Sequence, residues 1–296
     1  MRFLVCNEKG AVIKWPHLGG GFRMDPRDLI KAGKLAEARK RLTEEVRAQP
    51  ADLGKRTLLF QVLAFCGEWS KAEQHLDAIV AQDSKKETGA QVYKNLVGAE
   101  RERQEVLKLA RRPSFLPGTP PYAEIYFAAA QKLLDQKIEE AEGLFDQIEA
   151  QRPEVRGTLD GMAFVGFEDT DTFLSPFLEA MVHGRTVWIP FESIREIGLL
   201  PPKNLFDLLW IQGHVTTWEG LVLNCHLPVL YAGSFSHEDE RIKLGRMTDW
   251  IPLGGAFSRG VGQHVYQIGD QEKALLEIRE VLFNPPEKVE GDEKND

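Results

Sequence analysis

A repeat near the beginning of the chain restricts its folding options more than any other feature. Ala32-Gly33-Lys34-Leu35-Ala36-Glu37-Ala38 aligns with Cys66-Gly67-Glu68-Trp69-Ser70-Lys71-Ala72. Gly33 and Gly67, Ala38 and Ala72, and Leu42 and Leu76 are therefore each 34 residues apart. A weaker third copy, Gln136-Lys137-Ile138-Glu139-Glu140-Ala141 followed by Phe145, lies 69 residues after the second, about two periods on. Pro50 and Pro153 both fall 12 residues after the repeat's alanine, where the second helix of a unit should stop. Glycine at the turn lets the chain reverse between two helices, and alanine lets the paired helices approach closely. Leu42, Leu76 and Phe145 then fill the space between units. A period of 34 with small residues at fixed places predicts a tetratricopeptide-like helical repeat domain over residues 24–153. A generic stack of α-hairpins is the competing reading.

The flanks of this segment read differently. Residues 1–23 hold Gly19-Gly20-Gly21 and Pro16 and show no helical period. They form either a small ordered arm or an upstream extension of a reading frame that starts at Met24, and the second reading is favoured. Asp25-Pro26 then reads as an N-cap followed by proline at the first helical position. Between the second and third repeats, Gln91–Arg112 reads as one longer helix, closed by Pro113 and the Pro/Gly-rich loop Ser114–Pro121.

After Pro153 the period changes. Short apolar segments separated by turn residues predict an α+β domain over 154–283, giving an α+β multidomain chain. Strands are expected at Ala163–Phe167, Thr186–Pro190 and Ile194–Leu200, with an apolar β-like run over Gly220–Tyr231. Thr172–His183 reads as a helix ended by Gly184, with Phe173, Leu174, Phe177, Leu178 and Met181 on its buried side. His264–Ile268 and Leu275–Phe283 are expected to pair around Gly269-Asp270. Residues 284–296, Pro-rich and charged, read as a disordered tail.

Composition excludes several classes. A net charge of −8 over 296 residues argues against sequence-independent nucleic-acid binding, which needs clustered Lys and Arg. No apolar run approaches the roughly 18–20 residues that cross a bilayer, so no membrane role is expected. Cys6, Cys66 and Cys225 are too scattered to staple a fold, which favours a cytoplasmic location.

Motifs of catalysis are absent. There is no P-loop, and Gly260-Val261-Gly262 lacks the third glycine and flanking elements of a dinucleotide fingerprint, so it reads as a loop. Gly233-Ser234-Phe235-Ser236 is not a nucleophile elbow. The seven histidines never pair at i, i+4, and no metal site or cofactor is expected. Cys225-His226 would point to opposite faces of a strand. Asp169 and Asp171 flank a turn and serve either as an acid/base pair, a weak cation site or helix caps, with capping preferred. The polar His237-Glu238-Asp239-Glu240 reads as a solvated loop. Those two groups carry the alternative reading of the second domain as an enzyme or small-ligand sensor.

Several stretches in combination resemble the ImpE family, also called SciE or TagJ. They include Lys31-Ala32-Gly33-Lys34-Leu35, Leu59-Phe60-Gln61-Val62-Leu63 with Gly67–Glu73, and Gly157-Thr158-Leu159-Asp160-Gly161. Trp188-Ile189-Pro190, Ile194-Arg195-Glu196-Ile197, Leu227–Tyr231, Leu244-Gly245-Arg246, Thr248-Asp249-Trp250 and Leu275–Arg279 continue the pattern. The resemblance implies a cytoplasmic, non-enzymatic accessory protein of the bacterial type VI secretion system. It further implies that this protein binds the N-terminal helix of the small sheath subunit, with a link to the sheath-disassembling AAA+ ATPase. It carries over no catalytic residue. If helical repeats capture a partner helix, the first helices of the units should face it, which nominates Lys55, Arg56, Leu59 and Phe60. Trp188 and Arg195 are nominated as matched positions in the second half, against a core role for Trp188 and a solvated one for Arg195.

Overall fold

The computed structural model describes residues 24–286, so the readings for residues 1–23 and for the tail from 287 onward lie outside the described residues. The first half is helical: α1 (Pro26–Lys31), α2 (Leu35–Ala48), α3 (Leu53–Phe65), α4 (Trp69–Gln82) and the long α5 (Glu87–Leu107). A short strand β1 (Ser114–Phe115) precedes α6 (Ala123–Leu134) and α7 (Ile138–Glu149). Asp25 accepts from the Arg27 amide at the start of α1, with Pro26 at the first helical position.

Three of the helix–helix turns share one hydrogen-bonding pattern. Gly33, Gly67 and Gln136 all adopt positive φ, at 77°, 68° and 59°. Each donates its amide three residues back, and the next residue donates five back: Lys34 to Leu29, Glu68 to Leu63, Lys137 to Lys132. This is the Schellman ending, in which the left-handed residue lets two otherwise orphaned carbonyls be satisfied. Ala38, Ala72 and Ala141 are all fully buried at the helix–helix contacts that follow.

The second half is built from strands. They are β2 (Arg156–Leu159), β3 (Met162–Val165), β4 (Phe167–Asp169), β5 (Phe177–Val182), β6 (Arg185–Pro190), β7 (Ile194–Leu199), β8 (Trp210–Thr217) and β9 (Val222–Pro228). The short helix α8 (Glu240–Lys243) leads to β10 (Thr248–Gly254), β11 (Phe257–Gly262), β12 (Val265–Ile268), β13 (Gln271–Ala274) and β14 (Glu280–Phe283). Nine strands form one sheet in the order β1-β6-β5-β9-β8-β7-β14-β2-β3. A three-stranded sheet β13-β12-β4 and the hairpin β10-β11 complete the half.

Three expectations need correction. Phe177–Val182, read as part of a helix, is strand β5, paired antiparallel with β6 from Phe177↔Pro190 to Val182↔Arg185. Five of its six residues are buried, so its apolar run carries no period-2 alternation and mimics a helix. His183-Gly184 is not a helix stop. Both residues have positive φ, at 49° and 79°, as a two-residue hairpin turn requires. Gly260-Val261-Gly262 lies in β11 rather than in a loop. His264–Ile268 does turn back at Gly269, but its partner there is β13, whereas β14 inserts between β7 and β2 of the large sheet.

The helices are fused to the sheet. One hydrophobic cluster runs from Leu29 and Leu42 through Phe60 and Val97 to Ile189, Val215 and Val281. Trp69 lies 6.5 Å from Trp210 and 6.0 Å from Phe235, ring centre to ring centre. Several buried polar groups pair across this junction. Trp210 Nε1 donates to Glu100 (2.9 Å), Thr186 Oγ1 donates to the Ala99 carbonyl (3.0 Å), and Arg185 engages Glu102 at 3.0 Å.

Candidate functional site

A broad apolar concavity lies where three regions meet: α1, α3 and the segment before β8. It encloses about 620 Å³. From α1 come Arg27, Ile30 and Lys31, and from α3 come Leu53, Gly54, Thr57, Leu58 and Gln61. The α3 positions recur at helical spacing, so they form one stripe along that helix. Lys86, just before α5, and Asn204 with Leu205 close it.

Each wall is held in place by identifiable contacts. Glu240 accepts from the amides of Leu35 and Ala36, both at 2.8 Å, and so caps α2 from the sheet half. Arg246 donates to the carbonyls of Ile30 and Lys31, both at 2.7 Å, at the end of α1. Anion at a helix start and cation at a helix end both oppose the local helix dipole. The Asn204 wall is fixed by its own box: Asn204 Oδ1 accepts from the Phe206 amide while Asp207 accepts from the amides of Lys203 and Asn204. Phe206 is then stacked 4.1 Å from Tyr93 of α5 and lies 4.8 Å from Phe60 of α3. Leu205 is thereby presented to the concavity by an anchor buried beneath it.

The nominated α3 residues are displaced from this stripe. Leu59 and Phe60 are 2% and 1% exposed and belong to the core. Lys55 bonds Gln49 at 2.7 Å, and Arg56 donates to the Pro50 carbonyl at 2.7 Å. Arg56 also meets His75 of α4 at 3.3 Å; burial and this neighbouring charge lower the His75 pKa. The open face is Leu53, Thr57, Leu58 and Gln61. A repeat alignment predicts where helices lie, but not their rotation about their axes. Trp188 is buried against Phe177 and Phe127, whereas Arg195 is exposed on β7.

Asp169 and Asp171, behind the alternative reading, are joined in the interior: the Asp171 amide donates to Asp169 Oδ1 at 2.8 Å. Asp169 and Asp171 are 2% and 0% exposed. Tyr231 donates to Asp169 Oδ1 (2.7 Å) and His264 Nδ1 lies 2.8 Å from its Oδ2. Burial outweighs the nearby His264 and raises the Asp169 pKa. Asp171 accepts from the amides of Phe173 and Gly260 and from Arg259, each within 2.9 Å. The adjoining cavity, bordered by Arg103, Glu179, Trp188 and Arg259, holds about 20 Å³, room for about one water. His237–Glu240 lies elsewhere, spent on turns and caps: His237 Nδ1 accepts from the Asp239 amide, and Asp239 caps α8. Among the described residues, no three His, Cys, Asp or Glu side chains are grouped to hold a metal ion. No helix among them is long and apolar enough to cross a membrane.

Sequence reasoning missed the Arg103 junction altogether. Arg103, 2% exposed, donates to Glu100 (2.9 Å), Glu179 (2.7 Å) and the Leu230 carbonyl (2.9 Å). A charged residue within Gln91–Arg112 reads as a solvated helix face, and no local signal says otherwise.

Fold and site define an α+β protein whose helical layer is welded to a sheet, with an apolar groove that draws its walls from both. The ImpE protein family matches residues 161–282. The type VI secretion system accessory component TagJ of Pseudomonas aeruginosa is 32% identical over 268 residues, covering 90% of this chain and 94% of that one. The chain belongs to the ImpE family. The crystal structure of VPA1032 from Vibrio parahaemolyticus has the same fold, with a TM-score of 0.79 at 20% identity over 88% of this chain and 97% of that one.

Proposed function

We propose that the protein is a non-enzymatic, cytoplasmic accessory factor of a type VI secretion system that holds the N-terminal helix of the small sheath subunit. Through that contact it modulates disassembly of the sheath by the AAA+ ATPase. In this reading α1–α4 act as tetratricopeptide-like units, residues 24–153 form the capture domain, and residues 154–283 form the α+β domain that backs it. The observation that carries the reading is the groove along α1 and α3, with apolar side chains on its floor. An amphipathic helix laid into such a groove buries its apolar face without unfolding either partner. Kinship with an accessory component of the same system supports it.

Pulldown of the purified small sheath subunit, intact and lacking its N-terminal helix, tests the reading. Capture of the intact subunit and loss with the deletion are expected. Equal capture of both forms would overturn it. The alternative is an enzyme or small-ligand sensor in the sheet half, where the cavity beside Asp171 has room for about one water.

A further inference from the structure

We propose that the cavity beside Arg103 is a built site for a single water molecule, which accepts hydrogen bonds from Arg103 Nε and Trp188 Nε1 and donates to Glu179. The water completes the polar seam between the helical half and the sheet. Among the described residues, Arg103 Nε and Trp188 Nε1 are buried donors with no hydrogen-bond partner in the protein, and both residues line this one cavity. They are 2% and 4% exposed. An unmade bond at a buried donor carries the full penalty of its desolvation.

Neither donor is free to turn elsewhere. Nη1 of Arg103 engages both oxygens of Glu100, at 2.9 and 3.0 Å, while Nη2 serves Glu179 and the Leu230 carbonyl. Those bonds fix the guanidinium plane, and with it the direction of Nε–H. The Trp188 ring is stacked 5.1 Å from Phe177, 25° from parallel, which fixes the indole N–H. The acceptor stands beside it. Glu179 and Trp188 are paired directly across β5 and β6, so their side chains share one face of the sheet. Glu179 gives Oε2 to Arg103 and lines the same cavity. Against the burial that raises the Glu179 pKa, Arg103 and then the Trp188 N–H lower it. The indole donor is therefore directed toward that carboxylate, although it closes no hydrogen bond with it.

Size and charge select the occupant. The cavity holds about 20 Å³, which meets the roughly 10–15 Å³ that one water needs. Water accepts two hydrogen bonds and donates two, so it serves both donors and a carboxylate at once. A halide ion would accept from both donors but would sit against the carboxyl groups of Glu179 and Asp171, which line the same space. The two guanidiniums beside it are already matched, Arg103 by Glu100 and Glu179 and Arg259 by Asp171. Val106, Phe173 and Leu174 supply apolar wall and offer no side-chain hydrogen bond. The water thus joins α5, β5 and β6 at one point.

Two measurements on the full chain test this. The first is a high-resolution crystal structure from crystals grown in bromide. One water is expected within about 3.2 Å of Arg103 Nε, Trp188 Nε1 and a Glu179 oxygen, with no anomalous bromide signal. In Trp188→Phe, which keeps an aromatic ring but deletes the donor, that water should be lost or fall to about half occupancy. Featureless density in wild type, a bromide peak, or Trp188 Nε1 bonded directly to Glu179 overturns the proposal. So does a water of unchanged position and occupancy in the variant. The second is a water-selective ROESY spectrum of deuterated, ¹⁵N-labelled protein, which separates direct contact from proton exchange by sign. The indole N–H signal that disappears in Trp188→Phe should show a direct contact with water in wild type. A Trp188 indole signal without that contact overturns the proposal in solution.

Discussion

Arg103 of α5 reaches Glu179 of β5 across 2.7 Å, with the two side chains 2% and 5% exposed. The guanidinium also holds Glu100 of its own helix and the Leu230 carbonyl, so one side chain ties the helical half to two strand regions. Removing one partner of a buried pair strands the other charge in low dielectric. Arg103→Ala is expected to cost about 3–5 kcal/mol. Urea denaturation checks it, and a loss below about 1 kcal/mol would mean that water solvates the site.

The same pair sets part of the acid response. Burial alone would raise the Glu179 carboxyl, but the charge and hydrogen bond of Arg103 overcome it and hold the pKa below the ordinary value. The folded value then lies below the unfolded one, so this contribution to stability is complete above about pH 4.3 and is lost as pH falls through the folded value. Asp169 works in the opposite sense: its raised folded pKa means that stability is lost as pH rises from its unfolded value to its folded one. Glu179→Gln should therefore flatten the acid limb of stability, measured by urea midpoints from pH 3 to 7. An identical slope in wild type and variant would contradict the assignment.

The two repeat glycines should not tolerate alanine equally. Both adopt positive φ, which costs a non-glycine residue about 1–2 kcal/mol. A Cβ on Gly33 would sit at ordinary contact distance, 3.6 Å from Arg246. On Gly67 it would lie 2.3 Å from the Phe235 ring, against which Trp69 also packs. Gly67→Ala is thus expected to lower the melting temperature clearly more than Gly33→Ala. Equal shifts would show that Phe235 moves aside freely.

Phe206 links stability to the groove wall. Phe206→Ala removes a buried ring stacked on Tyr93 and is expected to cost about 3–5 kcal/mol. Because Leu205 is its neighbour, capture of the sheath-subunit helix should weaken too. Under conditions where the variant remains folded by circular dichroism, unchanged binding would exclude Leu205 as a working wall.

The thiols give a further check on burial. Burial pushes Cys225 up to about 12 and Cys66 to about 11, so thiolate is scarce at pH 8. Native protein treated briefly with iodoacetamide should leave both peptides unlabelled by mass spectrometry, with labelling complete in urea. Rapid native labelling of Cys225 would reveal opening of β9.

Local chemistry is legible in the sequence itself. Gly33, Gly67 and the weaker Gln136 mark three turns because a left-handed residue is required there. Ala38, Ala72 and Ala141 mark close contacts because a larger side chain would hold the helices apart. The strands at Arg185–Pro190 and Ile194–Leu199 were visible for a similar reason, since β-branched runs between turns have few other uses. Where burial on both faces erased the alternation, as in β5, the pattern misled.

The site depended on contacts that periodicity does not encode. Glu240 caps a helix 205 residues earlier, Arg103 meets a carbonyl 127 residues on, and Leu205 closes a groove begun by Ile30. A sequence period reports which face of an element is apolar, because that follows from residue spacing alone. It does not report which distant element covers that face or leaves it open. The repeat therefore announced a helical layer, while the packing of that layer on the sheet decided that Leu59 and Phe60 are core and Leu58 is half-buried.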